Sequence, residues 1–393
     1  MRAALFALLT VVAFIGCGAK GSVSGSKRFF ETAPLKYLVI ALLTSAFAVG
    51  IPTSRAQEPA TPPTTPPTIP SQEIKVETVL EGLLNPTSVA IQPETEHIFV
   101  ADSGNLRVIR VVDGQAKDVI IEFSKDSIGE NPKYEIGPLS LAFIDKETLV
   151  VGDGGQADGE ELLRVYKVPD VAAEPLKAND SPASFKLAAQ ENVVGEGNFV
   201  AIATTTGGVF VCTNGDDSKG WIARADRQEK TLANFRRFIA TKELGTVGSP
   251  TALTVSPEGF LAVGQIGSTE QAGDSELAFY DEGGAFQAKF TTGLNDITAL
   301  AYGPKTGRLF AADFSWCDPS KSGLYQLLES PDQKGCVAKE IMKLDKPTSM
   351  TFDSKGTLYV LVFGTPEPAS DAKPGKLLKI TGLDEPKATK KKD

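Results

Sequence analysis

The sequence contains very few of the residues that carry nucleophilic or soft-metal chemistry. Among its 393 residues there is one histidine, His97, and there are four cysteines. His97 stands beside the tight turn at 93–96, away from any serine or cysteine motif, so catalytic Ser-His-Asp and Cys-His pairs are excluded. The same scarcity excludes a metal cluster built from cysteine and histidine.

Basic charge and phosphate-binding loops are also lacking. Forty Lys and Arg residues against 49 Asp and Glu residues give a net charge of −9 and a pI near 5.0. No basic patch is available for a nucleic acid, so we expect no nucleic-acid partner. The glycine-rich stretch at 152–155 lacks the lysine and the following helix that a phosphate-binding loop needs.

What the chain does contain is a repeat. Six units begin with a short apolar run, at residues 86, 138, 199, 250, 297 and 347, which places successive units 47 to 61 residues apart. Further apolar runs follow in each unit, such as 98–102 and 106–110 in the first, and turn residues divide them. A period near 50 with four short strands per unit predicts an all-β fold, a six-bladed β-propeller with four antiparallel strands per blade.

The first strand of each unit has a small residue at its third position. The six residues are Ser88, Ser140, Ala201, Ala252, Ala299 and Ser349. Because successive side chains of a strand point to opposite faces, one bulky face and one thin face indicate an innermost strand crowded by its neighbours. The last unit supplies only three strands, and residues 74–80 form a spare strand ahead of the first unit. We expect this N-terminal strand to close the last blade, which would otherwise keep an open edge.

The N-terminal region carries export signals. Two apolar stretches within residues 1–56 each follow basic residues, and the second ends in a small-x-small pattern that predicts cleavage near Ala56. We expect a secreted or periplasmic protein whose true translation start can lie downstream of Met1. A lipoprotein anchored at Cys17 is the alternative. No stable transmembrane span is expected in the mature form, because the apolar run 37–51 is short for a bilayer.

The remaining segments follow from composition. Residues 57–73 are rich in proline and threonine and predict an extended linker. The propeller occupies 74–384, and 385–393 is expected to be a basic disordered tail.

The cysteines of an exported propeller suggest one disulfide. Cys317 and Cys336 fall in the same unit and form the natural pair. A strict strand layout places them at opposite ends of their blade, so the bond requires a folded-back loop or a late outer strand. Cys212 lies in an apolar strand and is expected to be a buried small residue.

The units, above all 86–113 with the sequence Val-Ala-Asp-Ser-Gly-Asn-Leu-Arg-Val-Ile-Arg, resemble NHL repeats. The six-unit whole is similar to the TolB-like six-bladed propellers, which include the SMP-30/gluconolactonase family. The resemblance implies the fold but leaves the function open, because that superfamily contains both enzymes and binding modules.

One face of the propeller collects long loops and acidic residues, and we expect it to be the working face. Our first hypothesis is a non-enzymatic module, without a cofactor, that binds an envelope or extracellular protein, peptide or glycan there. Its candidate binding residues are Asp102, Asp153, Asp313, Trp316 and Lys346. The alternative interpretation of these Asp and Asn residues is that they form turns.

The second hypothesis comes from the resemblance to gluconolactonases, which hold a divalent cation at the starts of the innermost strands. Asn85, Asn198 and Asp296 match such positions, with Glu196 or Glu135 as a further carboxylate. Oxygen ligands of this kind suit Ca²⁺, and Asp296 would be the base that hydrolyses a lactone or ester. Two departures count against it: the family's glutamate motif is absent from 85–87, and Lys346 adds a positive charge to the same rim.

Overall fold

The structure is a computed structural model of the chain. It describes residues 73–129, 132–215, 218–244, 248–268, 270–332, 335–367 and 371–386. The predicted export signal, the cleavage near Ala56, Cys17 and nearly all of the linker 57–73 lie outside these ranges, and so does most of the tail 385–393. Within the described ranges no helix is long and apolar enough to cross a membrane.

The strands form six sheets arranged around one axis, as the repeats predict. An N-terminal strand comes first, β1 (Lys75–Leu83). Blade 1 contains β2 (Ser88–Ile91), β3 (Ile98–Asp102), β4 (Arg107–Val112) and β5 (Gln115–Ile121). A separate hairpin follows, β6 (Asp126–Ile128) and β7 (Tyr134–Ile136). Blade 2 contains β8 (Pro138–Phe143), β9 (Thr148–Asp153), β10 (Leu163–Lys167) and β12 (Ala183–Phe185), and the short β11 (Leu176–Lys177) between them extends blade 1.

The other four blades are more regular. Blade 3 contains β13 (Ala201–Thr204), β14 (Gly208–Cys212), β15 (Trp221–Gln228) and β16 (Thr231–Ala240). Blade 4 contains β17 (Pro250–Val255), β18 (Leu261–Gln265), β19 (Glu276–Tyr280) and β20 (Phe286–Thr291). Blade 5 contains β21 (Ile297–Tyr302), β22 (Leu309–Asp313), β23 (Gly323–Glu329) and β24 (Cys336–Lys343). Blade 6 contains β25 (Pro347–Phe352), β26 (Leu358–Val362) and β27 (Gly375–Thr381). Four short 3-10 turns complete the described elements: Ser103–Asn105, Ala178–Asp180, Thr241–Glu243 and Pro319–Lys321.

The ring closes through its N-terminal strand. β1 pairs antiparallel with β27, from Lys75 opposite Thr381 to Leu83 opposite Gly375. The prediction that the N-terminal strand closes the sixth blade is therefore confirmed. Leu80 and Leu83 of β1 are buried against Val100 and Ile109 of blade 1, so the closing strand also belongs to an apolar layer between blades.

The small third positions of the innermost strands lie where neighbouring blades meet. Ser88 Oγ accepts a hydrogen bond from Leu141 N of blade 2 at 3.0 Å, and Ser349 Oγ accepts one from Val89 N at 3.1 Å. Ser140 Oγ donates to Phe199 O at 2.5 Å. A larger side chain would occupy the space of the adjacent strand, which explains why these positions are serine or alanine.

The second position of each innermost strand is turned toward the axis. In blades 2, 4, 5 and 6 the pairing register skips one residue there, namely Leu139, Thr251, Thr298 and Thr348. A β-bulge of this kind re-aims the side chain of the unpaired residue. The equivalent residues of blades 1 and 3 are Thr87 and Val200, and together the six side chains form an axial ring.

The threonines of the axial ring connect successive blades. Thr87 Oγ1 donates to Pro138 O at 3.0 Å, Thr251 Oγ1 to Ile297 O at 2.6 Å, Thr298 Oγ1 to Pro347 O at 2.7 Å and Thr348 Oγ1 to Pro86 O at 2.6 Å. Three of the acceptors are the first residue of the next blade's innermost strand, and the fourth, Pro86, lies two residues before β2. Because the ring includes the bond from blade 6 to blade 1, it adds to the closure by β1.

The expected disulfide between Cys317 and Cys336 is wrong. The three cysteines of the described residues, Cys212, Cys317 and Cys336, are free thiols. Cys336 pairs with Glu329 at one end of blade 5, whereas Cys317 precedes Gly323 at the other end. Six residues of strand separate the two ends, or about 20 Å, which is far beyond the reach of a disulfide. Cys212 is fully buried, as its strand predicts.

Candidate functional site

The face that carries the loops between second and third strands opens into a cavity of 680 Å³ on the propeller axis. We call it the axial-mouth cavity. Its floor is the axial ring of Thr87, Leu139, Val200, Thr251, Thr298 and Thr348. Above the floor lie Asn198, Asn214 and Ile266 on one part of the rim, and Phe314, Trp316 and Phe363 on another. Ile128 and Gly129 of the β6–β7 hairpin complete the lining.

Asp296 is a buried carboxylate that contacts two residues of the cavity lining, although it is not among the lining residues itself. It precedes β21, forms a backbone bridge with the cavity residue Ile266, and accepts a hydrogen bond at Oδ2 from Trp316 N at 2.6 Å. Its other oxygen, Oδ1, is buried and has no hydrogen-bond partner among the described residues. Burial raises the pKa of Asp296 to about 7, and the nearby carboxylates of Asp313 and Asp274 add to the rise.

Asp313 holds Asp296 in place. The Asp313 carboxylate accepts hydrogen bonds from Asn295 N at 3.0 Å and Asp296 N at 2.8 Å. Phe314, the next residue, donates its backbone N–H to Asp296 O at 3.0 Å. The end of β22 and the start of β21 are therefore fixed to each other at the cavity rim.

The backbone of Asn198 is held by Glu161, a second buried carboxylate whose pKa is raised. Its backbone N–H donates to Glu161 Oε2 at 2.8 Å. Glu161 is fully buried, and its Oε1 has no hydrogen-bond partner within the described ranges. Burial raises the pKa of Glu161 to about 8. Asn198 adopts a left-handed backbone with φ 45°, which asparagine tolerates better than most residues, and its side chain lines the cavity.

Of the strand-start residues proposed from the sequence, Asn198 lines the cavity, whereas Asp296, Asn85 and Lys346 are not among its lining residues. Asn85 has φ 44°, and its Nδ2 donates to Glu135 O at 3.0 Å. Lys346 has φ 58°, and its Nζ donates to Thr365 Oγ1 at 2.9 Å. The positive φ values show that Asn85 and Lys346 make the turn into their strands, which is the alternative interpretation weighed from the sequence.

The additional carboxylates proposed from the sequence are engaged elsewhere. Glu135 is exposed and pairs with Lys125. Glu196 is fully buried, and its Oε2 accepts a hydrogen bond from Thr213 Oγ1 at 2.5 Å. Neither residue lines the axial-mouth cavity.

The acidic residues at the ends of the second strands of blades 1 and 2 are buried and stabilise their own blades. Asp102 is fully buried, accepts Leu84 N at 2.8 Å and pairs with Arg107 at 2.8 Å. Asp153 is likewise buried, accepts Gly154 N at 3.0 Å and pairs with Arg164 at 3.2 Å. Of the five residues predicted for binding, the structure places Trp316 alone in the cavity lining.

The side chains at the axial-mouth cavity offer some, but not all, of the ligands that a divalent cation needs. Among the described residues no group of three His, Cys, Asp or Glu side chains is arranged to hold a metal. Oxygen donors remain in the Asp296 carboxylate with its unpartnered Oδ1 and in the Asn198 and Asn214 amides of the lining. Such hard oxygen ligands, completed by water, suit Ca²⁺. Of the three ligands proposed from the sequence, Asn198 lines the cavity, Asp296 contacts its lining and Asn85 does neither, while Asn214 is a further amide of the lining.

Several residues of the site were not predicted from the sequence. Glu161 stands in a loop, and its partner Asn198 is distant in the chain. The aromatic residues Phe314 and Phe363 carry a signal that could have been found, because each immediately follows the second strand of its blade. The β6–β7 hairpin falls between two units and was not recognised.

Comparison with known proteins supports the fold. No protein-family model matches the chain, and no curated relative matches it significantly. Among solved structures, the PQQ-bound aldose sugar dehydrogenase of Streptomyces coelicolor is 13% identical with a TM-score of 0.52, covering 80% of this chain and 99% of that one. The Xanthomonas campestris gluconolactonase XC5397 is 12% identical with a TM-score of 0.51, covering 83% and 98%. The apo-form soluble aldose sugar dehydrogenase of Escherichia coli is 12% identical with a TM-score of 0.51, covering 79% and 100%.

These comparisons correct the first hypothesis on function. A non-enzymatic binding module was expected, whereas the propellers that this chain resembles are named as enzymes. The absence of a cofactor, which belonged to that hypothesis, has no support either. The six-bladed β-propeller predicted from the repeats is confirmed.

Proposed function

We propose that the protein is a hydrolase of lactones or esters whose reaction takes place in the axial-mouth cavity. The observation that carries the proposal is Asp296, a buried carboxylate with one unpartnered oxygen, held between the cavity residues Ile266 and Trp316. The similarity to a gluconolactonase fold supports the same reaction class.

Asp296 has the properties of a general base. A pKa of about 7 leaves a large fraction of the carboxylate ionised at neutral pH while keeping it a stronger base than an ordinary aspartate. In the proposed reaction Asp296 takes a proton from water as the water oxygen bonds to the carbonyl carbon. The carbon–oxygen bond of the ester then breaks, and the leaving oxygen receives the proton from Asp296. The products are a carboxylic acid and an alcohol, joined in one molecule when the substrate is a lactone.

A divalent cation is part of the proposal. Asp296, Asn198 and Asn214 would hold it, and when bound it polarises the substrate carbonyl. Glu161 contributes indirectly, because its hydrogen bond to Asn198 N fixes the backbone of one proposed ligand.

Hydrolysis fits the cavity better than sugar oxidation with PQQ, the group bound in the S. coelicolor dehydrogenase. PQQ carries three carboxylates, which need cationic partners. No lysine or arginine is among the residues found lining the axial-mouth cavity in the described part of the chain. Lys346, which precedes the innermost strand of blade 6, is bonded to the loop after β26 through Thr365. The site therefore does not fit PQQ.

The proposal is tested by measuring acid release from a panel of lactones and esters in a pH-stat. We expect turnover by the purified protein and a loss of at least 100-fold in kcat for Asp296→Asn. Asp384→Asn is the matched control, because Asp384 is equally buried but bonds Lys305 N and Thr306 N at the opposite end of blade 5. Equal activity of the two variants, or no turnover by the unaltered protein with Ca²⁺, Mn²⁺ or Zn²⁺ added, contradicts the proposal.

We further propose that the protein acts outside the cytoplasm, as its N-terminal signals predict. The supporting observation is the small-x-small pattern that ends at Ala56. N-terminal sequencing of protein recovered from the producing cells tests it. A mature protein that begins near residue 57 is expected, and one that retains residues 1–56 in the cytoplasm contradicts it.

A further inference from the structure

We infer that the substrate's non-reacting part is apolar, so that the cavity takes an alkyl- or aryl-substituted lactone or ester rather than a polyhydroxylated one. This inference rests on the proposed function and adds the substrate class to it. Three features of the cavity carry it: an aromatic wall, an apolar hairpin that covers the wall, and a floor whose hydroxyl hydrogens are already used.

The aromatic wall consists of Phe314, Trp316 and Phe363. Phe314 and Trp316 are stacked, with ring centroids 4.5 Å apart and planes 28° apart. Phe314 also meets Phe363 edge to face at 5.6 Å. Phe314 and Phe363 are almost fully buried, while Trp316 is half-buried and keeps part of its ring toward the cavity. Such a wall favours a flat or chain-like apolar group.

The β6–β7 hairpin, which lies between blades 1 and 2 in the chain, packs over this aromatic wall. Tyr134 meets Trp316 at 5.6 Å and Phe363 at 5.1 Å between ring centroids, and Ile128 packs against the same cluster. Gly129, with φ 76°, lies so close to Trp316 that a Cβ there would be 3.5 Å from the indole ring. The hairpin thus adds apolar contacts between blade 1 and the aromatic residues of blades 5 and 6.

The hairpin is tied down at its base. Asn85 Nδ2 donates to Glu135 O at 3.0 Å, and Gly137 N donates to Ser103 Oγ at 2.9 Å. Asn85 is therefore a residue that supports the cover of the cavity. The hairpin reduces access of water to the aromatic wall, which strengthens apolar binding there.

The floor of the cavity has few free hydrogen-bond donors for the hydroxyl groups of a sugar. Each of the four threonines of the axial ring donates its hydroxyl hydrogen to the carbonyl of the next blade, and the other two residues are Leu139 and Val200. Within the described ranges the lining residues carry no charge, and the Asp296 carboxylate, which contacts the lining residues Ile266 and Trp316, is committed to the reaction. A ligand with four or five hydroxyl groups would leave several of them without partners, which is unfavourable, whereas an alkyl chain leaves none.

The experiment compares two δ-lactones with the same reacting group, δ-decalactone and glucono-δ-lactone. We expect kcat/KM to be at least 100-fold higher for δ-decalactone. A higher value for glucono-δ-lactone overturns the inference while leaving the proposed hydrolase intact.

Binding is measured separately so that failure of the chemistry can be distinguished. The probes are the two corresponding δ-lactams, which resist hydrolysis, and the signal is Trp316 fluorescence in a Trp221→Phe background, since Trp221 is the other tryptophan of the chain. Tighter binding of the alkyl lactam supports the inference even if neither lactone is hydrolysed, in which case the proposed function alone fails. Tighter binding of the hydroxylated lactam, or no binding of the alkyl lactam at millimolar concentration, overturns the inference.

Two variants locate the apolar part of the site. Trp316→Ala and, in the hairpin, Ile128→Asn should each raise KM for δ-decalactone about 10-fold or more while kcat changes less. The control is Val337→Ala, an exposed apolar residue of the outer strand β24, which should change neither parameter. If Trp316→Ala does not fold, Ile128→Asn provides the test. An unchanged KM in a folded variant of the wall or hairpin refutes the assignment.

Discussion

Replacing Asp296 with asparagine should make the metal-free protein more stable at neutral pH while removing the proposed hydrolase activity. Asparagine has the same shape, and its Oδ1 can still accept the hydrogen bond from Trp316 N. The two backbone bonds that Asp313 makes to Asn295 and Asp296 are untouched. The substitution therefore removes one buried charge and little else.

The magnitude follows from the pKa of Asp296, which burial raises from 3.8 to about 7. Below pH 4 the carboxyl is protonated in both folded and unfolded states and contributes no pH dependence. Between about pH 4 and pH 7 the unfolded chain is ionised while the folded chain stays protonated, so stability falls by at most about 1.4 kcal/mol per pH unit. Above pH 7 the loss is complete, with a ceiling of about 4 kcal/mol.

Urea denaturation of metal-free protein at pH 4, 5.5, 7 and 8 measures this loss. Asp296→Asn should match the unaltered protein at pH 4 and exceed it by about 2–4 kcal/mol at pH 8. Glu161, whose pKa is also raised by burial, contributes equally to both proteins and cancels in the difference. Asp384→Asn should instead be less stable than the unaltered protein, because the amide keeps a single acceptor oxygen and loses the hydrogen bond from Lys305 N or Thr306 N. A difference between Asp296→Asn and the unaltered protein that does not grow from pH 4 to pH 8 would refute the reasoning.

Three further predictions concern the frame. Thr298→Val removes one inter-blade hydrogen bond of the axial ring and should lower the free energy of unfolding by about 1 kcal/mol, and no change would argue against a structural role for the ring. Leu80→Ala, in the strand that closes blade 6, should cost about 2–4 kcal/mol in the same urea assay, whereas a loss below about 1 kcal/mol would mean that the closure contributes little. Alkylation without reductant, read by mass spectrometry, should label Cys317 in the folded protein but Cys212 only after unfolding, and a Cys317–Cys336 linked peptide would contradict the free thiols.

The fold could be predicted from the sequence because every blade repeats the same sequence features. The small third positions, the proline at the start of four innermost strands and the spare strand at 74–80 each reflect a local steric or hydrogen-bonding need. Proline fits the first residue of a strand, where its missing N–H is not needed and its carbonyl can accept from the neighbouring threonine. Repetition turned these weak signals into a reliable one.

The site could be predicted only in part, because its residues do not repeat. The place before an innermost strand selected Asn198, which lines the cavity, and Asp296, which contacts the lining, but the same rule also selected Asn85, whose side chain supports the hairpin instead. Asp102 and Asp153 are acidic loop residues of the kind expected on a binding face. In the structure both are buried and form ion pairs with Arg107 and Arg164, so they stabilise the blades. Their partners lie on the next strand, and no local pattern distinguishes an exposed acid from a buried one there.

The pH dependence of lactone hydrolysis tests the central claim most directly. If Asp296 is the base, kcat/KM of the unaltered protein should rise with pH as the carboxylate ionises, with an apparent pKa of about 7 without a cation and a lower one when a bound cation stabilises the charged form. The rising limb should be absent from the residual activity of Asp296→Asn. Persistence of the same limb in the variant, or no hydrolysis at any pH by the cation-loaded protein, would contradict a hydrolytic site at the axial mouth.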